Sequence, residues 1–149
     1  MIIIDADACP SIKLIEDTAK KHQIKTLICS DPNRILNSDY SKIIYVDQGN
    51  DSVDLYIANT VKKDDIVITQ DYGVATTVLA KEAYAINPKG LIYDDSNIDS
   101  LMLSRHMNKR LRRQGFKIKG PKKRTKEDDV KLISNLELLI VKVKNKWYN

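Results

Sequence analysis

The sequence predicts an α/β fold, a central parallel sheet with helices on both faces and further helices at the C-terminal end. Three observations predict it. Short apolar runs alternate with amphipathic helical patterns through the first 96 residues; such alternation makes a parallel sheet with right-handed crossovers. The runs are almost uniformly apolar, as strands buried on both faces are. With 149 residues, 42% hydrophobic and 30% charged, the chain has the size and composition of one globular domain.

The elements follow in order. Ile2–Ile4 is an all-apolar strand. Pro10 suits a first helical position, and Ile12, Ile15 and Ala19 form the apolar stripe of the helix it opens. Ile24–Cys29 reads as the second strand, Ser30-Asp31-Pro32-Asn33 as a loop and Lys42–Val46 as the third strand. A helix starts near Asn50–Asp51, with Val53, Ile57 and Val61 spaced by four. Ile66–Thr69 is the fourth strand, Tyr72–Glu82 a helix and Tyr84–Ile86 a brief fifth strand, after which Pro88-Lys89-Gly90 breaks the pattern.

The segment 97–149 is helical. Asn97 to about Gln114 forms one helix, ended by Gly115, a residue suited to a left-handed C-terminal cap. Gly120-Pro121 is a loop. Thr125 is an N-cap with Asp128 as an imperfect capping box. The last helix runs to about Lys144 with Val130, Ile133, Leu136, Ile140 and Val143 on one face, and Trp147 anchors its end or an interface.

Charge is strongly separated. The formal net charge is +5, yet eleven basic and no acidic residues lie between Arg105 and Lys126, leaving a body of net charge −6. Such a strip points to RNA or another polyanion as partner, with a solvated basic helix face and loop as the alternative. Arg105, Lys109, Arg112 and Arg113 supply phosphate contacts from one helix, and Lys122, Lys123 and Arg124 extend the track along the next loop. Phe116 is the one aromatic in the strip, so base stacking has little support there. No apolar run approaches the roughly 18 residues of a membrane span. Two cysteines, Cys9 and Cys29, form no disulfide framework, and a reducing cytoplasm is expected.

In a parallel sheet the ligand lies beyond the carboxyl ends of the strands, and there the sequence places aspartates. Asp5 and Asp7 follow the first strand, Asp71 follows the fourth, and Asp51 and Asp54 sit on the helix after the third. Converging carboxylates repel unless a cation or proton relieves them; hard oxygen donors suit Mg²⁺ or Mn²⁺. Asp5, Asp7, Asp54 and Asp71 are the candidate metal ligands, and Asp5, Asp54 and Asp71 the candidate catalytic residues of a phosphodiesterase. Several aspartates have a plainer role, Asp71 and Asp51 as helix caps, Asp47 and Asp64-Asp65 in solvated turns, and Asp94, Asp95 and Asp99 at a helix start, whereas Asp5, directly after a buried strand, needs a partner. Cys9, near a helix start, is a buried packing residue or a thiol activated by its position. His22 and His106 lie too far from the acidic motifs to be assigned as ligands.

Asp5-Ala6-Asp7-Ala8-Cys9-Pro10, Val46-Asp47-Gln48-Gly49 with Asp51 and Asp54, and Asp65-Ile66-Val67-Ile68-Thr69-Gln70-Asp71-Tyr72 resemble, in order and spacing, the YaiI/YqxD family of bacterial proteins, related to PIN-like domains. Asn97-Ile98-Asp99, Arg105, Gly120-Pro121 and Glu127-Asp128 extend the likeness over nearly the whole chain. The resemblance implies a single three-layer PIN-like domain over residues 1–149, and the wider superfamily includes ribonucleases whose acidic cluster binds Mg²⁺ or Mn²⁺. By position Asp5 resembles the first acidic residue, Asp54 the helix-borne one and Thr69-Gln70-Asp71 the Thr-x-Asp motif. Asp94, Asp95 and Asp99 are candidates for a fourth; Asp7 lies outside the usual pattern. Two other readings stand beside the nuclease. One is a non-catalytic RNA- or protein-binding domain. The other is a phosphatase, since Asp5-x-Asp7 resembles the haloacid-dehalogenase nucleophile motif, with Ser30 as a phosphate-binding hydroxyl.

Overall fold

The computed structural model describes residues 1–47, 52–120 and 122–147. The expected helix start at Asn50–Asp51, the Gln48-Gly49 pair and Pro121 lie outside them. Among these residues the α-helices and strands follow in chain order: β1 (Ile2–Asp5), α1 (Ile12–Lys21), β2 (Thr26–Ser30), β3 (Lys42–Tyr45), α2 (Ser52–Thr60), β4 (Ile66–Ile68), α3 (Tyr72–Ala80), β5 (Tyr84–Ile86), β6 (Ile92–Tyr93), α4 (Ile98–Arg113) and α5 (Lys126–Trp147). One sheet takes the order β3-β2-β1-β4-β5-β6. Its first five strands run parallel, with Ile4 opposite both Ile28 and Ile68, and β6 returns antiparallel with Ile92 opposite Ile86. The predicted α/β class is what forms.

Alternation of side chains along each strand sorts the core into two layers. Ile2, Ile4, Ile28, Ile66, Ile68 and Ile86 pack with Ile15 and Ala19 of α1 and with Leu132, Leu136, Leu139, Ile140 and Val143 of α5. Ile3, Leu27, Cys29, Val67 and Ala85 pack on the other face, with Val53 and Ile57 of α2, Val74 and Val78 of α3 and Ile98 of α4. The sheet is thus the middle of three layers. Ile2, Ile3 and Ile4 have no exposed surface, which is why β1 carries no polar residue until Asp5.

Several local details differ from the expectation. Pro10 stands exposed in a turn ahead of α1, because Ala6–Ala8 spend the preceding residues on a short 3₁₀ turn. Strand β6 has only two residues, too short for a periodic signal. On α5, Val130 is 69% exposed and Leu132 and Leu139 take core positions; the helix carries apolar residues around much of its circumference, so their spacing alone does not fix the buried face. Trp147 is more than half exposed at the end of α5. Asp65 is buried rather than solvated, accepting from the Lys62 N–H at 2.9 Å and the Met1 ammonium at 3.1 Å.

The helix ends follow their predicted chemistry. Gly115 has φ +92°, and the Gly115 and Phe116 amides donate to the Arg112 and Leu111 carbonyls, both at 3.1 Å; this is a Schellman motif closing α4. Before α5, the Thr125 N–H donates to Asp128 Oδ2 at 2.9 Å and the Asp128 N–H to Thr125 Oγ1 at 3.4 Å, the reciprocal pair of a capping box. Among the described residues no helix is long and apolar enough to cross a membrane.

Candidate functional site

Strand order reverses between β1 and β4, since the chain builds outward through β2 and β3 on one side and through β5 on the other. Beyond the carboxyl ends of two such strands an open sheet leaves a crevice. A cleft of about 720 Å³ lies there, with Asp5, Asp7, Asp54 and Asp71 in its lining.

Asp5 is the last residue of β1 and shares the side of the sheet that Ile3 takes, toward α2, α3 and α4. It is only 6% exposed. Its Oδ1 accepts from the Asp7 N–H and its Oδ2 from the Thr69 hydroxyl, both at 3.3 Å. Burial pushes the Asp5 carboxyl up to about 6, with further pushes from the Asp7 and Asp71 charges; the two hydrogen bonds oppose the rise.

Asp71 directly precedes α3 and caps it, its Oδ1 accepting from the Val74 N–H at 2.9 Å. The capping role and the cleft position therefore belong to one side chain. Its own N–H donates to Thr69 Oγ1 at 3.0 Å, so the Thr69 hydroxyl links the two strand-end aspartates. Asp54 lies in the first turn of α2, half-buried on the cleft. Asp7 turns toward the loop after β2: burial and then the nearby Asp31 carboxyl raise its pKa, opposed by the Arg34 guanidinium 3.9 Å away. Arg34 also donates to the Ala6 carbonyl, across 28 residues of chain.

The cationic residues of the cleft come from three segments. Leu101, Ser104, Arg105, Asn108 and Arg112 line the cleft from one face of α4, the spacing of residues that share a helical face. Lys89 enters from the β5–β6 turn and Lys119 from the loop after α4. Lys109 and Arg113 are exposed on α4 but do not line the cleft, nor do Lys122 and Lys123. The Lys122 carbonyl accepts from Lys89 Nζ at 2.6 Å. Arg124 is occupied by the fold: Nε and Nη2 donate to Asp129 Oδ1 at 3.0 and 2.6 Å, and Nη1 donates to the Pro88 carbonyl at 2.6 Å. Ser11 also donates to Asp129 Oδ1, at 2.9 Å, and these contacts hold the Asp129 carboxyl below its ordinary range.

Tyr72 is a cleft residue that sequence reasoning missed. It lies 33 residues before the basic strip begins, and no spacing rule connects the two. Its ring carries the Arg105 guanidinium at 5.6 Å and meets Tyr93 edge-on, with centroids 5.9 Å apart. Lys89 is likewise brought to the cleft by tertiary contact, and Asp31 and Arg34 are brought beside Asp7. Asp94, Asp95 and Asp99 do not line the cleft; Asp94 Oδ1 accepts from the Ser96 and Asn97 amides at 2.8 and 2.9 Å ahead of α4.

Other candidates fall into structural roles. Cys9 and Cys29 are free, buried thiols, pushed by burial up to about 11 and about 12, far from the thiolate a nucleophile needs. Ser30 is fully buried and donates to the Asp31 carbonyl at 3.0 Å. His22 lies 3.5 Å from Glu137, away from the cleft, and His106 is exposed on α4 outside the lining.

Among the described residues no three His, Cys, Asp or Glu side chains converge closely enough to hold a metal ion by themselves. Carboxylate oxygens are nevertheless the donors Mg²⁺ takes, and it binds through one or two of them with waters and substrate phosphate completing the shell. Such donors would suit only an open site completed by waters and a phosphate, not a closed protein cage.

Residues 3–142 match the family described as "Uncharacterized BCR, YaiI/YqxD family". A UPF0178 protein of Clostridium perfringens is 54% identical over 143 residues, 96% of each chain. Its counterpart from Clostridium tetani is 52% identical over 143 residues, 96% of this chain and 98% of its own, and that from Clostridium novyi is 50% identical over 145 residues, 97% of each. No solved structure gives a significant match. By extent and identity of sequence, the chain belongs to the YaiI/YqxD (UPF0178) family.

Proposed function

We propose that the cleft binds RNA and, with a divalent cation, hydrolyses its phosphodiester backbone. One observation carries this reading: a single cleft at the switch point of the sheet is bounded by four aspartates and by Lys89, Arg105, Arg112 and Lys119. A purely basic groove would suit binding alone. The acidic side adds a place for a cation at the scissile phosphate.

Asp5 and Asp71, with Asp54 and Asp7 beside them, are the residues to hold Mg²⁺ or Mn²⁺. An ion bound there would supply Lewis acidity toward a phosphate oxygen and would make a neighbouring water more acidic than bulk water. The chain's own residues do the rest. Arg105 and Arg112 receive backbone phosphates, for which a guanidinium's planar fork is well shaped. Thr69 orients Asp5 through its hydroxyl. The two buried, unpaired thiols agree with a cytoplasmic setting.

The test is cleavage of a fluorescent, unstructured RNA in Mn²⁺, Mg²⁺ or EDTA. Cleavage that needs the metal and falls at least about 100-fold in Asp5→Asn is the expected result. Equal cleavage in EDTA would sink the metal-dependent step. A second reading, RNA binding without turnover, is favoured by the engagement of Asp71 as a helix cap and by the lack of three converging ligands among the described residues. It predicts salt-sensitive binding with no cleavage in any metal; absence of binding removes both readings.

A further inference from the structure

We infer that Tyr72 and Arg105 form a stacking platform for one unpaired nucleobase of an RNA strand, set beside the strand-end aspartates. The inference rests on the RNA reading above and deepens it to a single-stranded substrate.

The basic strip lacks aromatics apart from Phe116, yet the fold supplies one from elsewhere. Tyr72 opens α3 and lines the cleft together with Asp5, Asp71 and Arg105. The Arg105 guanidinium lies 5.6 Å from the centre of the Tyr72 ring, a cation–π pair of two flat groups. Nucleobases stack on both kinds of surface, tyrosine rings and arginine planes alike.

The platform is braced from below. Tyr72 meets the Tyr93 ring edge-on at 77°. Tyr93 is 2% exposed, its hydroxyl donates to the Thr69 carbonyl at 3.2 Å, and it accepts from Asn87 Nδ2 at 3.1 Å. Thr69 is also the residue whose hydroxyl donates to Asp5 and accepts from the Asp71 amide. Platform and acidic edge are thus tied to one backbone position. A rigid aromatic contributes stacking with little ordering cost, since few of its torsions remain to be frozen.

Arg105 has a second property that suits a ligand. Among the described residues no carboxylate forms an ion pair with it, whereas Arg124 in the same strip is neutralised by Asp129. Its charge is left for a phosphate while its guanidinium lies over the Tyr72 ring. In a duplex the bases are stacked on each other and cannot reach such a surface, so the platform discriminates for single strands.

The experiment measures binding of short fluorescent RNAs by anisotropy in EDTA, which separates recognition from any turnover. The probes are an unstructured single strand, the same sequence with abasic sites, and a duplex. The wild-type chain is expected to prefer the single strand over the abasic and duplex probes. Tyr72→Leu should weaken single-strand binding roughly 5- to 150-fold, the range of one lost base stack, and leave duplex binding unchanged. Tyr72→Phe should keep affinity, and Arg105→Lys, which retains charge but loses the plane, should lose several-fold. Single-strand binding by wild type that survives abasic substitution, or a folded Tyr72→Leu that binds as tightly as wild type, overturns the platform and leaves the RNA reading standing. Failure of every probe to bind overturns the RNA reading and the platform with it. The abasic probe needs no variant, so the test holds even where Tyr72→Leu does not fold.

Discussion

The Thr69 hydroxyl donates to Asp5 Oδ2 at 3.3 Å, joining the carboxyl ends of two strands, β1 and β4, that are 64 residues apart in sequence. Burial and the neighbouring carboxylates make the ionised form of Asp5 costly, and its pKa rises to about 6. The folded chain therefore binds a proton at Asp5 more tightly than the unfolded chain, whose value is near 3.8. No penalty exists below about pH 4, where both states are protonated; it grows between about 4 and 6 and is complete above 6. Asp5→Asn removes the charge while keeping the shape. It is expected to stabilise the fold at pH 7.5 by up to about 3 kcal/mol, two units at about 1.4 kcal/mol each, and by little at pH 4. Thermal unfolding across that range measures it, and a variant less stable than wild type at pH 7.5 would refute the cost assigned to the carboxylate.

A cation at the aspartates should relieve the same strain. Millimolar Mn²⁺ is expected to raise the melting temperature of the wild-type chain, by mass action on the folded state alone. At a metal concentration 100 times the dissociation constant the gain is about 2.7 kcal/mol. Asp5→Asn should show little of that rise. An equal rise in both chains would place the metal elsewhere.

How much of this was legible in the sequence depends on the reach of each contact. Asp5 and Asp71 stand directly after apolar runs, and the rule that ligands gather at the carboxyl ends of parallel strands picks them out. Thr125 with Asp128, and Gly115, are local signals that the caps obey. The rest of the cleft is different. Tyr72 meets Arg105 across 33 residues, and Arg34 meets Ala6 across 28; packing of helices and loops makes those pairs, and no periodicity announces them. Strand β6 was missed for a related reason, since a two-residue edge strand exists only through its partner. Its Tyr93 is what supports Tyr72.

The same distinction between spacing and placement divides the basic strip. Arg112 lines the cleft and Arg113 does not. For a single strand each neutralised phosphate adds about 0.7 to the slope of log K against log salt. Arg112→Ala is expected to reduce that slope by about this amount, and Arg113→Ala by clearly less. Equal reductions would favour diffuse attraction by the whole strip over contact in the cleft. Arg124→Ala should instead lower the melting temperature, because it frees Asp129 and the Pro88 carbonyl, and leave the slope nearly intact.

The β5–β6 turn that carries Lys89 to the cleft depends on one glycine. Gly90 has φ +96°, a conformation L-residues rarely adopt, and a Cβ there would lie 2.6 Å from the Lys131 carbonyl carbon and 2.7 Å from the Leu132 nitrogen. Both are backbone atoms of α5 and cannot step aside as a flexible side chain would. The Gly90 carbonyl also accepts from Asn135 Nδ2 at 2.6 Å, so the turn is held against the helix from two sides. Gly90→Ala therefore combines an unfavourable φ with a backbone clash, and a loss of more than about 2 kcal/mol is expected from chemical unfolding. Asn135→Ala, which removes the hydrogen bond and leaves the conformation free, should cost about 1 kcal/mol. The order of the two separates the glycine's shape from its hydrogen bond: a Gly90→Ala chain as stable as Asn135→Ala would mean that α5 yields at Lys131.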